Sequence, residues 1–468
     1  MTGPGQSRRA TNSARLAIAI VVGLLAAALP ATALAKHDGK GHHATSHHTK
    51  GHHNKGHHNK GNWHNQAAGA LYTATNNPAG NAVVMYTRSA NGTLTKGASF
   101  PTGGVGIASQ PPFGFPIVDS SGSMNLTRDG RLLFVVNAGP AGGGTISAFR
   151  VTNSGLQLAD NSPISSGGAL PISVTTHGNL LYVVNEESSD IVGFRFTSSG
   201  HLTQISTQPL STAFPTTVSA QIGFSPDGRT IVVTERGLPA PNGVIDTFPV
   251  NWDGTAGPAQ KNVAPTPNPF GFAFAGSHLL VSDAGFVATP SGSAANPGGS
   301  PPNPADPSQF FGSLTSYSLS GSGNLTFEGA FPSGGRAACW VVVTPDNRYA
   351  FVTNTLSAPA GSPAGILTGN GGVSRYSISP HGGLTLLGQT DVPASTPTQP
   401  SGFPGDETLS PDGRYLYVLI PIIVGGAPPN PPPTSHIDVY QVGPGGSLTF
   451  VQATNNDLPD GVSGIAAN

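Results

Sequence analysis

Short apolar runs separated by polar turns recur along the chain after residue 66. Each run has only four or five residues rich in Val, Leu, Ile and aromatic side chains, which is typical of a buried strand and too short for a helix. The pattern therefore predicts an all-β protein. The clearest runs are Leu132–Val136, Leu180–Val184, Thr230–Thr234, Leu279–Ser282, Tyr349–Thr353 and Tyr415–Leu419.

A common turn precedes these strands. Its Asp can accept hydrogen bonds from its own backbone, and the Gly or Asn that follows tolerates a positive φ, so each copy reverses the chain between two antiparallel strands. Clear copies are Thr127–Arg131, Ser225–Arg229, Thr344–Arg348 and Ser410–Arg414, and divergent copies are Thr176–Asn179 and Ala275–His278.

The turn and its strands belong to a larger repeat. A third strand follows, as at Ile191–Arg195, and a Gly-containing turn leads to a fourth strand that begins Leu-Thr, as at Leu202-Thr203. Four antiparallel strands repeated about seven times predict a seven-bladed β-propeller over residues 67–468. An array of β-sandwiches is the alternative architecture.

The two ends of the repeat region complement each other. The first repeat opens at its second strand, Ala70–Ala74, and has no inner strand before it. The last segment, Gly461–Ala467, resembles that missing inner strand. We therefore expect the C-terminus to complete the first blade, which closes the ring and removes exposed strand edges.

The N-terminus has the features of an export signal. Three arginines precede the apolar stretch Leu16–Leu29, and Ala33-Leu34-Ala35 fits a small-residue cleavage site. We expect residues 1–35 to be a signal peptide cleaved before Lys36, leaving no membrane span and a secreted or cell-envelope protein. An uncleaved anchor is the alternative, and Arg8-Arg9 also suggests a twin-arginine signal, although general secretion fits better.

Residues 36–66 form a leader without apolar periodicity, which we expect to be disordered. Paired histidines recur in it every five residues and could bind Zn²⁺, Cu²⁺ or Ni²⁺ loosely. The alternative is a solvated spacer that gains positive charge at acid pH. The pairs are His42, His43, His47, His48, His52, His53, His57 and His58.

Composition narrows the classes of partner. The 21 Lys and Arg residues nearly balance the 22 Asp and Glu residues, so no basic field attracts nucleic acid. Cys339 is the only cysteine, which excludes an intrachain disulfide and suggests a small buried apolar residue. We expect a monomer that requires no cofactor and binds a small-molecule or cell-surface ligand.

The repeat assigns the loops to two faces. Turns after first and third strands share one face, here called the turn face, and we expect them to leave no room for a pocket. Loops after second and fourth strands share the opposite loop face, where we expect the site because the large insertions lie there. These insertions are Phe286–Gln309, Leu356–Gly371 and Ile420–Ser435.

Polar residues end the second strands on the loop face. Asn137, Asn185, Asp283 and Asn354 fit a structural role, because such side chains bond loop backbone. Other acids and arginines could bind a carboxylate or act as an acid/base pair. The candidate catalytic residues are Glu186, Glu235, Arg236, Arg336 and Glu407, with Asp406 and Gln221 able to complete the group.

The repeats at Asn77–Thr95, Phe224–Gly237 and Arg336–Thr355 resemble the lactonase-type seven-bladed propellers, a family that includes 6-phosphogluconolactonase and 3-carboxymuconate-cyclising enzymes. The resemblance implies Arg-His at the start of one inner strand and Asn-Glu at the end of the next. This chain has Cys339-Trp340 and Asn354-Thr355 at those places, whereas Asn185-Glu186 keeps an Asn-Glu ending in another blade.

Two hypotheses follow. In the first, the protein is a divergent, non-catalytic propeller that binds a ligand at its central channel. In the second, it is an exported lactone hydrolase or lactonising cyclase, in which Arg336 or Arg236 holds a substrate carboxylate and Glu186 or Glu235 activates water. An exported chain is not expected to meet a cytosolic phosphorylated lactone, so a different ligand is expected in either case.

Overall fold

Seven antiparallel sheets make up the described part of the chain in the computed structural model. The structure describes residues 67–111, 117–140, 142–237, 242–285, 312–356, 371–393, 404–421, 435–455 and 457–468. The predicted signal peptide, the histidine-rich leader and most of the three large insertions lie outside these residues.

Each sheet is one blade of a seven-bladed β-propeller, and the predicted fold is confirmed. Blade 1 contains β1 (Ala67–Ala74), β2 (Ala82–Ser89) and β3 (Leu94–Pro101), and blade 2 contains β4 (Met124–Leu126), β5 (Leu132–Asn137), β6 (Thr145–Thr152), β7 (Gly155–Leu158) and β8 (Ile164–Ser165). Blade 3 contains β9 (Pro171–His177), β10 (Leu180–Asn185), β11 (Asp190–Phe196) and β12 (Leu202–Pro209), and blade 4 contains β13 (Thr217–Phe224), β14 (Thr230–Gly237), β15 (Asn242–Pro249) and β16 (Gln260–Pro267).

Blades 5 to 7 continue the same order, and the final strand returns to blade 1. Blade 5 contains β17 (Pro269–Ala275), β18 (His278–Asp283), β19 (Ser313–Leu319) and β20 (Leu325–Pro332), and blade 6 contains β21 (Arg336–Val343), β22 (Tyr349–Leu356), β23 (Gly372–Ile378) and β24 (Leu384–Asp391). Blade 7 contains β25 (Glu407–Leu409), β26 (Tyr415–Ile420), β27 (His436–Val442) and β28 (Leu448–Ala453), and the final strand is β29 (Ser463–Ala467).

The recurring turn folds as its sequence predicts. In blade 4, Ser225 Oγ donates to Asp227 Oδ1 at 2.7 Å, and the backbone amide of Arg229 donates to the same oxygen at 3.1 Å. Gly228 has a φ of 71°, which a side chain would strain. These bonds lower the pKa of Asp227, because they stabilise its charged form. The turn thus sets the register of β13 and β14, the two strands that it joins.

The C-terminus closes the ring as predicted. β29 pairs antiparallel with β1, with Leu71 opposite Ala467 and Thr73 opposite Ile465. Asn468 extends the pairing, since its Oδ1 accepts from the amide of Ala70 at 2.6 Å. The sheet order β29-β1-β2-β3 makes blade 1 a four-stranded sheet like the others, which excludes the alternative of stacked sandwiches.

The apolar core lies between neighbouring blades. Every residue of β5 and β26 is buried, because second strands have a blade packed against each of their faces. The prediction for Cys339 is confirmed: it is a free, buried cysteine. Among the described residues, no helix has the length and apolar character needed to cross a membrane.

Candidate functional site

A segment of chain crosses the central channel, the space enclosed by the first strands of the blades. It comprises residues 118–123, in the connection between blades 1 and 2, and we call it the crossing segment. The amide of Ser121 donates to the carbonyl of Ala220 at 2.9 Å, and Ser120 Oγ donates to the carbonyl of Ile172 at 2.7 Å. The amide of Val118 donates to Ser463 Oγ at 2.9 Å. The segment is therefore fixed to the inner strands of blades 1, 3 and 4.

The crossing segment forms one end of a cavity of about 430 Å³ in the central channel. The cavity extends from the crossing segment toward the turn face, where Pro345 and Pro411 lie at its rim. The expectation that the turn face has no room for a pocket is therefore wrong, because the crossing segment occupies the other end of the channel. The lining includes Ser121, Gly122, Gln221, Phe272, Val341, Asp406, Glu407 and Ile465.

Glu407 is an exception to the repeat. It lies opposite Val418, the fourth residue of its second strand counted from the turn. In the five other blades that have this turn, the corresponding inner-strand residue is apolar and at most 5% exposed, whereas Glu407 places a carboxyl group there at 4% exposure. These residues are Met124, Val174, Ile222, Phe272 and Val341.

The carboxyl group of Glu407 is not neutralised by its surroundings. No hydrogen bond of good geometry reaches either of its oxygens from the described residues. Burial raises its pKa well above the usual value, and the adjacent Asp406 raises it further, while the backbone of Thr353 opposes the shift. Burial also raises the pKa of Asp406 to about 7. Two adjacent acids of high proton affinity therefore lie beside the cavity.

A second cluster brings Glu186 and Arg236 together, as the sequence suggested. Glu186 follows β10 and is 1% exposed, and its Oε2 accepts from Gln110 Nε2 at 3.2 Å. Burial raises its pKa to about 8, although Arg236 and Gln110 oppose the shift. Its Oε1 has no hydrogen-bond partner within the described part of the chain. Glu186 therefore has the proton affinity of a general acid or base near neutral pH.

The guanidinium of Arg236 is held by residues that the sequence did not single out. Its Nη1 donates to Asp119 Oδ2 at 2.7 Å and its Nη2 to the Asp119 carbonyl at 3.2 Å. It also lies 4.9 Å from the ring centre of Phe270, which packs edge-on against Trp340. Arg236 thus anchors the crossing segment, and much of its charge is balanced by Asp119.

Trp340 and Cys339, which replace the Arg-His of the family pattern, have structural contacts. Trp340 Nε1 donates to the Ser120 carbonyl at 3.0 Å, which fixes the crossing segment to blade 6 as well. Burial raises the pKa of the Cys339 thiol to about 12, so it stays protonated at neutral pH. A thiol in that state is a poor nucleophile.

Glu235 lies apart from Arg236, because neighbouring residues of a strand point to opposite faces of the sheet. Its carboxyl accepts hydrogen bonds from the hydroxyls of Thr212 and Thr217. Burial, and to a smaller extent the nearby Asp246, raises its pKa to about 8. Asp246 in turn accepts from Ser211 Oγ at 2.7 Å. Glu235 is therefore a neutral acid that joins a loop to blade 4.

The polar residues that end the other second strands have the structural role that the sequence predicts. Asn137 Nδ2 donates to Ser147 Oγ at 2.8 Å, Asn354 Nδ2 donates to Ser374 Oγ at 2.7 Å, and Asp283 accepts from Ser313 Oγ at 2.7 Å. Each side chain bonds the third strand of its own blade. Glu235 occupies the corresponding place in blade 4, and the nearby Asp246 belongs to the third strand of that blade.

Of the remaining candidates, Gln221 lines the central cavity together with Asp406 and Glu407. Gln221 bonds the backbone of Phe272 with both ends of its amide, at 3.0 and 2.7 Å. Arg336 begins β21, but its side chain lies outside the described part of the structure, as does every histidine of the leader. No cluster of three metal-binding side chains occurs among the residues that the structure describes.

The fold and its tail-closed first blade define the class of protein, a seven-bladed β-propeller. The sequence profile of the family described as "Lactonase, 7-bladed beta-propeller" matches residues 63–207 and 123–284. The resemblance to the lactonase-type seven-bladed propellers that the repeats show is confirmed over these residues. No curated protein matches the sequence.

Solved structures share the fold at low sequence identity. A protein from Bacteroides uniformis, provisionally described as a 6-phosphogluconolactonase, has 17% identity and a TM-score of 0.58 over 86% of this chain and 100% of its own. A similarly described protein from Bacteroides fragilis has 15% identity and a TM-score of 0.56, covering 86% and 98%. A protein from Lactobacillus plantarum has 14% identity and a TM-score of 0.57, covering 86% and 100%. These likenesses concern the fold alone.

Proposed function

We propose that this protein is an exported, ligand-binding member of the lactonase-type propellers that holds a small neutral or cationic molecule in its central cavity. The observation that carries the proposal is Glu407, a buried carboxyl at a position where five other blades have apolar residues. An unpartnered buried acid destabilises a fold, and such departures from the local rule are typical of functional sites.

The charge of the cavity supports the choice of ligand. The residues that line it include two acids and, within the described part of the chain, no Lys, Arg or His. An anionic group placed there would meet Asp406 and Glu407 without a balancing cation. A neutral hydroxyl-bearing molecule can donate hydrogen bonds to these carboxyl groups or accept hydrogen bonds from them, and an amine can form an ion pair with them. A phosphorylated lactone fits this cavity poorly.

The proposal is tested by calorimetric titration of the purified chain with three probes: glucono-1,5-lactone, 6-phosphogluconate and glucosamine. We expect heat with glucono-1,5-lactone or glucosamine, no heat with 6-phosphogluconate, and a loss of at least tenfold in affinity for Glu407→Gln. Asp160→Asn, an exposed acid far from the cavity in sequence, is the control and should bind like the parent. Binding of only 6-phosphogluconate, or equal binding by Glu407→Gln, would contradict the proposal.

A second candidate function, lactone hydrolysis or lactonisation, is favoured by Glu186. This side chain combines a pKa of about 8 with an oxygen that has no hydrogen-bond partner among the described residues, so it could take a proton from water and return it to the leaving oxygen. Arg236 already donates to Asp119, so it would act through its charge rather than as a free carboxylate clamp. A panel of sugar lactones, followed by proton release, tests the candidate. Turnover that falls at least a hundredfold in Glu186→Gln but not in Glu187→Gln would establish it, and absence of turnover in the folded parent would remove it.

Export is part of the proposal and rests on the N-terminal sequence. Three arginines, the apolar stretch Leu16–Leu29 and the Ala33-Leu34-Ala35 site favour cleavage before Lys36. N-terminal sequencing of protein recovered from the medium or envelope fraction tests it. A chain that starts at Lys36 is the expected result, and an intact Met1 in the membrane fraction would favour the anchor instead.

The leader is proposed to bind Zn²⁺, Cu²⁺ or Ni²⁺ through its paired histidines, since neutral imidazoles are good ligands for these ions. Calorimetry on a peptide of residues 36–65 should give heat at pH 7.5 that disappears near pH 5, where the histidines are protonated. The absence of heat with all three ions would leave the leader as a spacer.

A further inference from the structure

Trp252 is a large apolar side chain with 99% of its surface exposed. It lies in the turn between β15 and β16, in which the amide of Asn251 donates to the Thr255 carbonyl at 2.9 Å. Five other blades have a turn with the same bond, and small residues or proline occupy the matching position in all of them. These residues are Ala90, Ser198, Gly321, Pro380 and Pro444. Trp252 is therefore not required by the turn or by the core.

Hydrogen bonds fix the backbone of the turn that carries Trp252. Asp253 Oδ1 accepts from the amide of Thr255 at 3.0 Å, and Arg195 Nη2 donates to the Asp253 carbonyl at 2.7 Å. Tyr182 Oη donates to the Gly254 carbonyl at 2.8 Å. Gly254 lies so close to Leu180 that an added Cβ would come within 2.6 Å of that side chain. The turn is thus anchored to blade 3, and the indole is presented by a rigid support, which lowers the entropy cost of binding.

Trp252 borders a groove of about 480 Å³ on the turn face between blades 3 and 4. The groove is lined by planar polar side chains, Asn179, Arg195, Arg229, Asn251 and Asp253, together with Leu180. Its charges nearly balance, since the two arginines lie near Asp227 and Asp253. It is separate from the central cavity, with which it shares no lining residue.

We propose that this groove is a carbohydrate-binding site for a neutral pyranose unit, with Trp252 as the stacking platform. The apolar C–H face of a pyranose ring covers an exposed indole, and the ring hydroxyls find donors and acceptors in amide, guanidinium and carboxylate groups. The balanced charge favours a neutral sugar over an acidic one. A proline-rich peptide fits less well, because aromatic-lined grooves bind such peptides and Trp252 is the only aromatic side chain lining this one in the described part of the chain.

The experiment is co-sedimentation of the full chain with insoluble cellulose, chitin and mannan. The protein is then titrated with the matching soluble oligosaccharide, and binding is followed by tryptophan fluorescence. We expect depletion by at least one polysaccharide, a change in emission on titration, and a loss of affinity of tenfold or more in Trp252→Ala. Trp252→Phe should retain part of the affinity. The control is Phe327→Ala, which removes another exposed aromatic side chain from blade 5 and should bind like the parent.

Three results would overturn the proposal: no depletion by any of the polysaccharides or by a wider neutral glycan array, equal binding by Trp252→Ala, or binding of a decaproline peptide with no binding of glycans. The Glu407→Gln variant should bind polysaccharide normally, so this test does not depend on the ligand of the central cavity.

Discussion

Glu407 shows what a repeat fold reveals about single residues. Because the blades are near copies, the same register position can be compared within one chain, and a carboxyl among Met, Val, Ile and Phe becomes evident. The sequence placed Glu407 among the candidates only because it starts an inner strand. That it is buried without a hydrogen-bond partner among the described residues could be seen only from side-chain positions. The sequence does not give the direction in which a short, irregular strand points its side chains.

Replacement of Glu407 by valine should stabilise the protein and abolish ligand binding in the cavity. Valine restores the apolar residue of the other blades and removes an unsatisfied acid, so the free energy of unfolding should rise by about 1–3 kcal/mol. Urea denaturation at pH 7.5 measures the effect. The control is Val341→Glu, which makes the reverse change in blade 6 and should destabilise. A less stable Glu407→Val protein would mean that Glu407 has a structural partner.

Glu235 and Arg236 do not form an acid/base pair, although they are neighbours in sequence. Glu235 and Arg236 are adjacent, yet strand alternation sends them to opposite sides of blade 4, where one bonds Thr217 and the other bonds Asp119. We expect Glu235→Gln to remain stable, because an amide can accept from the two threonines and donate to the nearby Asp246. Glu235→Ala should lose roughly 1–3 kcal/mol, because it leaves buried groups unpartnered.

Urea denaturation of both Glu235 variants distinguishes a structural from a functional role. Loss of ligand binding in Glu235→Gln at unchanged stability would return Glu235 to the site. Equal destabilisation of both variants would show that its interaction with Asp246 depends on the acid itself.

At the scale of elements, the turns and second strands could be predicted because local chemistry determines them. In each clear copy of the turn, the Asp that corresponds to Asp227 accepts the same hydrogen bond, and the residue that corresponds to Gly228 likewise has a positive φ. The crossing segment could not be predicted, since it has no copy in the other blades. Its position depends on single long-range contacts, such as that of Trp340 with Ser120 across the ring. The site residues Asp119 and Gln110 were missed for the same reason.

Removal of residues 463–468 tests the closure of the ring. Without β29, β1 loses its inner neighbour, and the Arg88 guanidinium loses its bond to the Asn468 carbonyl at 2.8 Å. An exposed strand edge promotes association. We expect the soluble monomer to fall several-fold in size-exclusion chromatography, with partial recovery when a synthetic peptide of residues 461–468 is added during refolding.

Deletion of Asn468 alone is the milder control for this truncation, because it removes the terminal contacts and leaves the β29 pairing of Leu71 to Ala74 intact. A truncated chain that stays monomeric and as stable as this control would show that the tail strand is dispensable.

At the scale of the whole molecule, the ring was predictable and the site was predictable only in part. Seven copies of one strand pattern determine the ring, whatever the loops contain. The site instead depends on which side chains point toward the channel axis from distant blades. Glu186 and Arg236 lie in one cluster, whereas Glu235 and Glu407 lie elsewhere. The number of acidic residues on the loop face does not show which of them come together.

The buried acids give the whole protein a predictable dependence on pH. Burial raises the pKa of Glu186 and Glu235 to about 8 and that of Asp406 to about 7, whereas unfolded carboxyl groups titrate near pH 4. Between these values the folded protein retains protons that the unfolded chain has released, so a rise in pH favours unfolding. The turn aspartates, whose pKa is lowered, titrate below this window.

We therefore expect the melting temperature to fall by roughly 5 °C or more between pH 5 and pH 8.5, since each kcal/mol lost shifts it by a few degrees. Scanning calorimetry at constant ionic strength measures this fall. Glu407→Gln should flatten the dependence, because an amide has no proton to release, and Glu187→Gln should leave it unchanged. A melting temperature that rises across the same interval would mean that the buried carboxyl groups are ionised in the folded state, and the acids would then have to be paired with a bound cation.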